Sequence, residues 1–213
     1  MIKQFFAAVE ANDFARITFA GLATSLLIQL GSPSRSAAAL EGWALDQQHC
    51  KAIFSVKHYG LAPVTGWFNK VYGSARYDAK DLKKSYVKAF IETTSINSGS
   101  GPRDFHLRSE HFLDTKAYPM ITFDSTELKP QSKGKFQLVG TLTIKDKKKK
   151  VVLDCEGPVG PITDEKKQKR LGFTAKTTIN RKDFGITWNR EASPGLFMVG
   201  DQIDILLEIE LMQ

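Results

Sequence analysis

From residue 42 onward, apolar and polar positions alternate with a period of two, the pattern of strands that bury one face. Cys50, Ala52, Phe54 and Val56 share one face of a first strand, with His49, Lys51, Ser55 and Lys57 opposite. A second strand runs from Val64 to Tyr77 through Gly66, Phe68, Gly73 and Ala75, and a third, from Tyr86 to Ile96, aligns Val87, Ala89 and Ile91. Ile121 and Phe123 mark a fourth, Phe136, Leu138, Gly140, Leu142 and Ile144 a fifth, and Val151, Leu153 and Cys155 a sixth. Leu171, Phe173, Ala175, Thr177 and Ile179 form a seventh, and Ile203, Ile205, Leu207, Ile209 and Leu211 the last. About eight strands with one apolar face each, and little helix to cover them, bury that face by closing into an antiparallel barrel. A two-sheet sandwich is the rival, although its turns are usually more evenly short. The small inward residues Ala52, Gly66, Ala75, Ala89, Gly140 and Ala175 predict room along the barrel axis.

One stretch, Arg103 to Phe123, interrupts the alternation with a helical spacing. Phe105, Ser109 and Phe112 fall at i, i+4 and i+7, Asp104 is placed to cap the first turn, and Pro119 ends the pattern. The spacing predicts a lid, with Phe105, Phe112 and Leu113 on the barrel and His106 and Arg108 towards the rim. The same stretch concentrates ionisable groups, but they do not assemble a centre. His106 and Glu110 share a helix face while His111 lies roughly 140° away, short of the three or four ligands that zinc needs. Cys50 and His58 share a strand face but stand about 27 Å apart, too far to act as nucleophile and base. Neither a G-x-S-x-G elbow, a P-loop nor a G-x-G-x-x-G turn occurs.

The 213 residues are 42% hydrophobic and 25% charged, ordinary for a soluble domain, and the formal net charge is +7. The basic runs Lys145 to Lys150 and Lys166 to Arg170 fall in successive connections, which lie at opposite ends of an up-and-down barrel. No aromatic platform is interleaved with them, which argues against nucleic acid. Solvated turns, or transient contact of one end with anionic lipid headgroups, account for them. At the N-terminus, Lys3 and Arg16 precede the uncharged run Ile17 to Leu30, and Ala37 to Ala39 supply small residues at a cleavage site. The run is about 14 residues against the ~20 needed to span a bilayer, so residues 1–39 read as a cleaved export signal. An uncleaved anchor is the alternative. Residues 40–213 then form the barrel, outside the cytoplasm. There Cys50 and Cys155 meet oxidising conditions, and both a disulfide and two buried thiols stay open.

Several blocks in order carry a resemblance. They are Trp43-x-Leu45-Asp46-x-x-His49; Ile53-Phe54-Ser55-Val56-Lys57-His58-x-Gly60; Val64-x-Gly66-x-Phe68; and Asp104-x-His106-Leu107-Arg108-Ser109-x-x-Phe112-x-Asp114 with Tyr118-Pro119-x-Ile121-x-Phe123-x-Ser125. Gly140-x-Leu142-Thr143-Ile144 and Ile179-Asn180-Arg181-x-Asp183-Phe184-Gly185 complete the set. Over about Trp43 to Leu211 the chain resembles the YceI family of periplasmic, lipocalin-like polyisoprenoid-binding proteins. The resemblance implies an eight-stranded antiparallel barrel with a short helical insertion. It also implies binding rather than catalysis, with a polyprenyl phosphate, a quinone or a fatty-acid derivative as ligand and no metal or other cofactor. An enzyme acting on a lipid in the same cavity is the rival, and a second copy of the chain is a further candidate partner. Strand parity nominates Phe54, Val56, Phe68, Ile91, Phe123, Leu142, Phe173, Ile205 and Leu207 as lining, under a lid containing Phe112. His58, Arg108 and Arg181 are candidates for a polar headgroup at the mouth. The chain departs from the family at Cys50, where a small hydroxyl residue is common, and in the lysines after Ile144.

Overall fold

The computed structural model describes residues 41–213, so the export-signal reading of residues 1–39 lies outside the described residues. The strands are β1 (Glu41–Leu45), β2 (Lys51–His58), β3 (Ala62–Phe68), β4 (Val71–Tyr77), β5 (Tyr86–Glu92) and β6 (Ile96–Asn97). After the helix α1 (Gly101–Arg108) come β7 (Met120–Pro130), β8 (Lys135–Ile144), β9 (Lys147–Thr163) and β10 (Lys169–Asn180). A small hairpin, β11 (Glu191–Ser193) and β12 (Leu196–Phe197), precedes β13 (Val199–Met212).

Neighbours pair antiparallel in the order β1-β4-β5-β7-β8-β9-β10-β13, and β13 returns to β1 through Ala44 opposite Met212 and Leu45 opposite Leu211. The sheet is therefore a closed eight-stranded barrel, as the alternation predicts, and closure removes its edges. Three neighbouring staves are broken. β13 pairs with β1 at its C-terminal end and with β2 from Val199 to Glu208, so β1 and β2 are two pieces of one stave parted by a turn after Leu45. The strand expected over Val64–Tyr77 is likewise split at Asn69 and Lys70 into β3 and β4. β5 and β6 are parted by a 3-10 turn at Thr93–Ser95. Hydrogen bonds from Asn69 N to Ser95 O and from Glu92 N to Lys70 O bind the second and third breaks together. Broken staves let one wall bend, and the inward face changes parity at each break: Leu45 and Ala52, Phe68 and Val71, and Ile91 and Ile96 all line the cavity.

At one end the connections 59–61, 145–146 and 181–198 lie beside the lid segment, 98–119. At the other end Trp43, Leu128, Phe136, Leu171 and Leu211 are buried and plug the barrel. Only two residue pairs join β1 to β13, and Arg170 reinforces this seam. Its Nη1 donates to Asp46 Oδ2 (2.7 Å) and to Glu210, and its Nε to Asp164 Oδ2 (2.7 Å). That guanidinium, helped by the His49 ring and the Gln48 amide, holds the Asp46 carboxyl down at about 2.

Candidate ligand-binding cavity

The barrel encloses a cavity of about 390 Å³, within the usual range for small-molecule sites. Its walls come from the inward faces of the staves, and along β13 it reaches from Val199 to Ile209. Phe54, Val56, Phe68, Ile91, Phe123, Leu142, Phe173, Ile205 and Leu207 all line it, as do Phe112 and His58.

The small residues act differently from the expectation of empty axial space. A Cβ on Gly66 would lie 2.4 Å from Phe54 Cζ, and one on Gly140 would lie 2.5 Å from Phe123 Cζ. The two rings lie over the two glycines of neighbouring staves. Glycine thus makes room by letting a phenyl ring flatten against the wall, which keeps the ring off the axis.

Two of the three polar candidates are already engaged. Arg108 does not line the cavity; its Nε donates to Thr94 O (3.0 Å) and its Nη2 to Ile96 O (2.9 Å), fastening the lid to the break between β5 and β6. Arg181 lines the cavity but is only 1% exposed. Its guanidinium donates to the carbonyls of Gly200 (2.9 Å), Ile186 (2.7 Å), Trp188 (2.8 Å) and Val199 (3.3 Å), and to Asp201 Oδ1 (3.2 Å). Burial lowers its pKa, opposed by the Asp201 carboxylate. Arg181 therefore shapes the 181–198 loop, with little donor capacity left for a headgroup. Besides Arg181, the charged and imidazole side chains on the lining are Lys57, His58, Arg103 and His106. Of these, Arg103 already donates to Ser98 Oγ (2.8 Å) and Ser98 O (2.6 Å).

The lid is shorter in helix than the spacing predicts. α1 ends at Arg108 because Ser109 turns extended (φ −71°, ψ 172°), and tight turns follow. Asp104 does not cap the helix; its buried carboxylate accepts from Ser98 N (2.8 Å) and Ser98 Oγ (2.5 Å). Turns rather than a helix face deliver Phe112 and Leu113 to the barrel, both buried, with Leu107 beside them in the cavity wall. Phe105 is the exception. It projects outward, 77% exposed, instead of covering the barrel.

Trp188, on the 181–198 loop, lies outside the set expected from strand parity, which does not apply to loops. Its ring meets His106 edge-on at 4.7 Å and packs at 5.3 Å from Phe112, so lid and loop meet across the mouth. The apolar pair Ile186 and Trp188, directly after Gly185, is the signal in the sequence that could have marked it. His106 Nε2 lies 3.1 Å from His111 Nδ1, a pair made by the turn rather than by helical spacing.

Asp46, His49 and Glu210 could together offer three metal-type ligands, but Arg170 binds both carboxylates and supplies the positive charge there. Cys50 and Cys155 are both free and buried. Desolvation pushes their thiols up to about 11 and about 12, so neither is an activated nucleophile.

A closed antiparallel barrel with an apolar interior and a lid across one end is a lipocalin-like barrel, the architecture of proteins that hold an apolar ligand. The YceI-like domain matches residues 43–211. A UPF0312 protein of Pectobacterium carotovorum is 31% identical over 189 residues, spanning 89% of this chain and 94% of that protein. One of Yersinia enterocolitica is 34% identical over 165 residues, 78% of this chain and 82% of the relative. The chain belongs to the YceI-like family, a binding-domain fold. Among solved structures, Burkholderia cenocepacia BcnA superposes with a TM-score of 0.68 at 21% identity, covering 78% of this chain and 98% of that one. A Campylobacter jejuni YCEI protein gives 0.63 at 26%, over 74% and 89%. A polyisoprenoid binding domain from Saccharophagus degradans, implicated in plant cell wall breakdown, gives 0.56 at 13%, over 79% and 97%.

Proposed function

We propose that the protein is exported to the periplasm and holds an isoprenoid or other long-chain lipid in the barrel, as a carrier, store or sensor. A polyprenyl phosphate, a quinone or a fatty-acid derivative fits the reading. The observation that carries it is the cavity itself, about 390 Å³ walled mostly by aliphatic and phenyl side chains, with its charged and imidazole side chains gathered at one end. The polyisoprenoid binding of the Saccharophagus degradans domain supports the ligand class. Each methylene moved from water into such a wall contributes about 0.8 kcal/mol, so ten contribute roughly 8 kcal/mol before the ordering of the tail is subtracted. A polar head sits at the mouth, near Lys57, His58 and His106.

Titrating the delipidated protein with fatty acids, quinones and polyprenyl phosphates of increasing length tests the proposal. Affinity should climb with chain length until the cavity is full and then level off. Failure of every series to bind would refute it.

A further inference from the structure

Among the described residues, the outward Phe105 is joined by three exposed apolar side chains on the other connections at the mouth. Leu61 on the β2–β3 turn is 79% exposed, and Leu196 and Phe197 on the β11–β12 hairpin are 42% and 50% exposed. The three connections that carry them form one rim. Tyr59 N donates to Met198 O (3.0 Å), joining the β2–β3 turn to the base of the hairpin, and His106 packs on Trp188, joining the lid to the hairpin loop. The β8–β9 turn belongs to the same rim, since Lys145 Nζ sits 5.7 Å over the ring of Tyr118 at the end of the lid segment.

That turn opens the basic run, with five lysines and one aspartate between Lys145 and Lys150. Lys147 to Lys150 are exposed. Ladder register gives the run a direction. Lys149 pairs with Leu142, and both Lys147 and Lys149 share the strand face of Val151 and Leu153, which line the cavity. Half the run thus stands over the opening, and the other half faces outward beside it.

We propose that the mouth end of the barrel docks on a membrane surface that carries anionic lipid. In the docked state Leu61, Phe105, Leu196 and Phe197 enter the headgroup region, and Lys145 to Lys150 meet the lipid phosphates. Exposed apolar side chains on loop tips beside a cluster of cations are the requirements of interfacial binding. The occupant is a bilayer because the apolar tips ring the entrance to the cavity, so docking places that entrance where long apolar chains are dissolved. This inference rests on the lipid-binding reading only for its purpose; the surface stands apart from the cavity lining.

The opposite end supplies the control. It has its own basic turn, Lys166 to Arg170, and exposed Val159 and Ile162 at the far end of β9. There, however, the apolar pair belongs to one strand, and Arg170 is held by Asp46, Asp164 and Glu210.

Cosedimentation of the protein with vesicles of phosphatidylethanolamine and phosphatidylglycerol, against phosphatidylcholine alone, tests the docking. Binding to the anionic vesicles is expected, weakening with added salt. Lys148→Glu with Lys150→Glu should lower partitioning at least tenfold, since each lysine near the surface contributes about fivefold. Leu61→Ser with Phe105→Ser and Phe197→Ser should abolish it. Val159→Ser with Ile162→Ser, and Lys166→Glu with Lys167→Glu, should leave it unchanged. All four variants should keep the lipid uptake of the parent, which separates a failed surface from a failed cavity. The inference is overturned by no vesicle binding, by loss only in the far-end variants, or by indifference to lipid charge. It is equally overturned if the apolar mouth variants abolish dimerisation while vesicle binding is absent, which would assign the rim to a second copy of the chain.

Discussion

Ala89→Leu separates a ligand cavity from an ordinary core. Ala89 lies on β5 between Gly73 and Phe123 of the neighbouring staves, and its side chain faces the cavity. Leucine adds three carbons to the space within. In the empty protein they leave water for an apolar void, so the folded state should gain about 1 kcal/mol. In the complex they displace roughly three ligand methylenes at about 0.8 kcal/mol each, a loss of about 2.4 kcal/mol or nearly sixty-fold in Kd. The two effects have opposite sign. Overpacking, or any general damage to the fold, would lower stability and affinity together. The assay is a chemical denaturation midpoint on the delipidated protein, paired with displacement of a bound fluorescent fatty acid. Unchanged affinity in a variant at least as stable as the parent would show that the ligand does not occupy this level of the barrel, and the reasoning would fail.

Three further outcomes follow from the same geometry. Phe112→Ala removes a buried ring that packs on Trp188; it should cost about 3 kcal/mol of stability and speed ligand release, so an unchanged midpoint and off-rate would count against the lid. Arg181→Met takes the guanidinium away from the carbonyls of Ile186, Trp188 and Gly200, while Val199 O keeps its bond from Asn189 Nδ2 (2.7 Å), and should destabilise by about 3 kcal/mol in thermal unfolding. A stable Arg181→Met protein that had lost only its preference for anionic lipids would reinstate a headgroup role. Asp46→Asn tests the seam by pH. The folded-state pKa of about 2 lies below the unfolded 3.8, so the native carboxylate stabilises above about pH 4 and this contribution fades as pH falls towards 2. Screened at the barrel end, it should amount to about 1–2 kcal/mol at pH 7 and be mostly lost by about pH 2, and a difference independent of pH would contradict it.

The barrel is legible in the sequence because strand parity is a local property. Val56, Phe123 and Ile209 alternate with polar neighbours on both sides, and that alternation already fixes which side chains face inward. Parity shifts at the breaks, from Phe68 to Val71 and from Ile91 to Ile96, so the sequence marks each break, and a single strand over Val64–Tyr77 passes over that mark. The lid is less legible. Phe105, Ser109 and Phe112 fit a helix face only if the helix continues, and the extended backbone at Ser109 stops it after two turns. Arg108 and Arg181 show a different limit. A charged side chain next to a predicted cavity looks like a headgroup ligand until the backbone carbonyls that claim it are placed, and those carbonyls come from loops without a periodic signature. Trp188 is hidden for the same reason.

The central claim is that a long apolar molecule occupies the barrel. Native mass spectrometry of the protein purified from its own cells, followed by lipid extraction of the same sample, tests it most directly. One bound lipid per chain is expected, with a long isoprenoid or acyl tail, released when the barrel is denatured. A protein that emerges empty, and takes up neither quinones, polyprenyl phosphates nor fatty-acid derivatives afterwards, would contradict it.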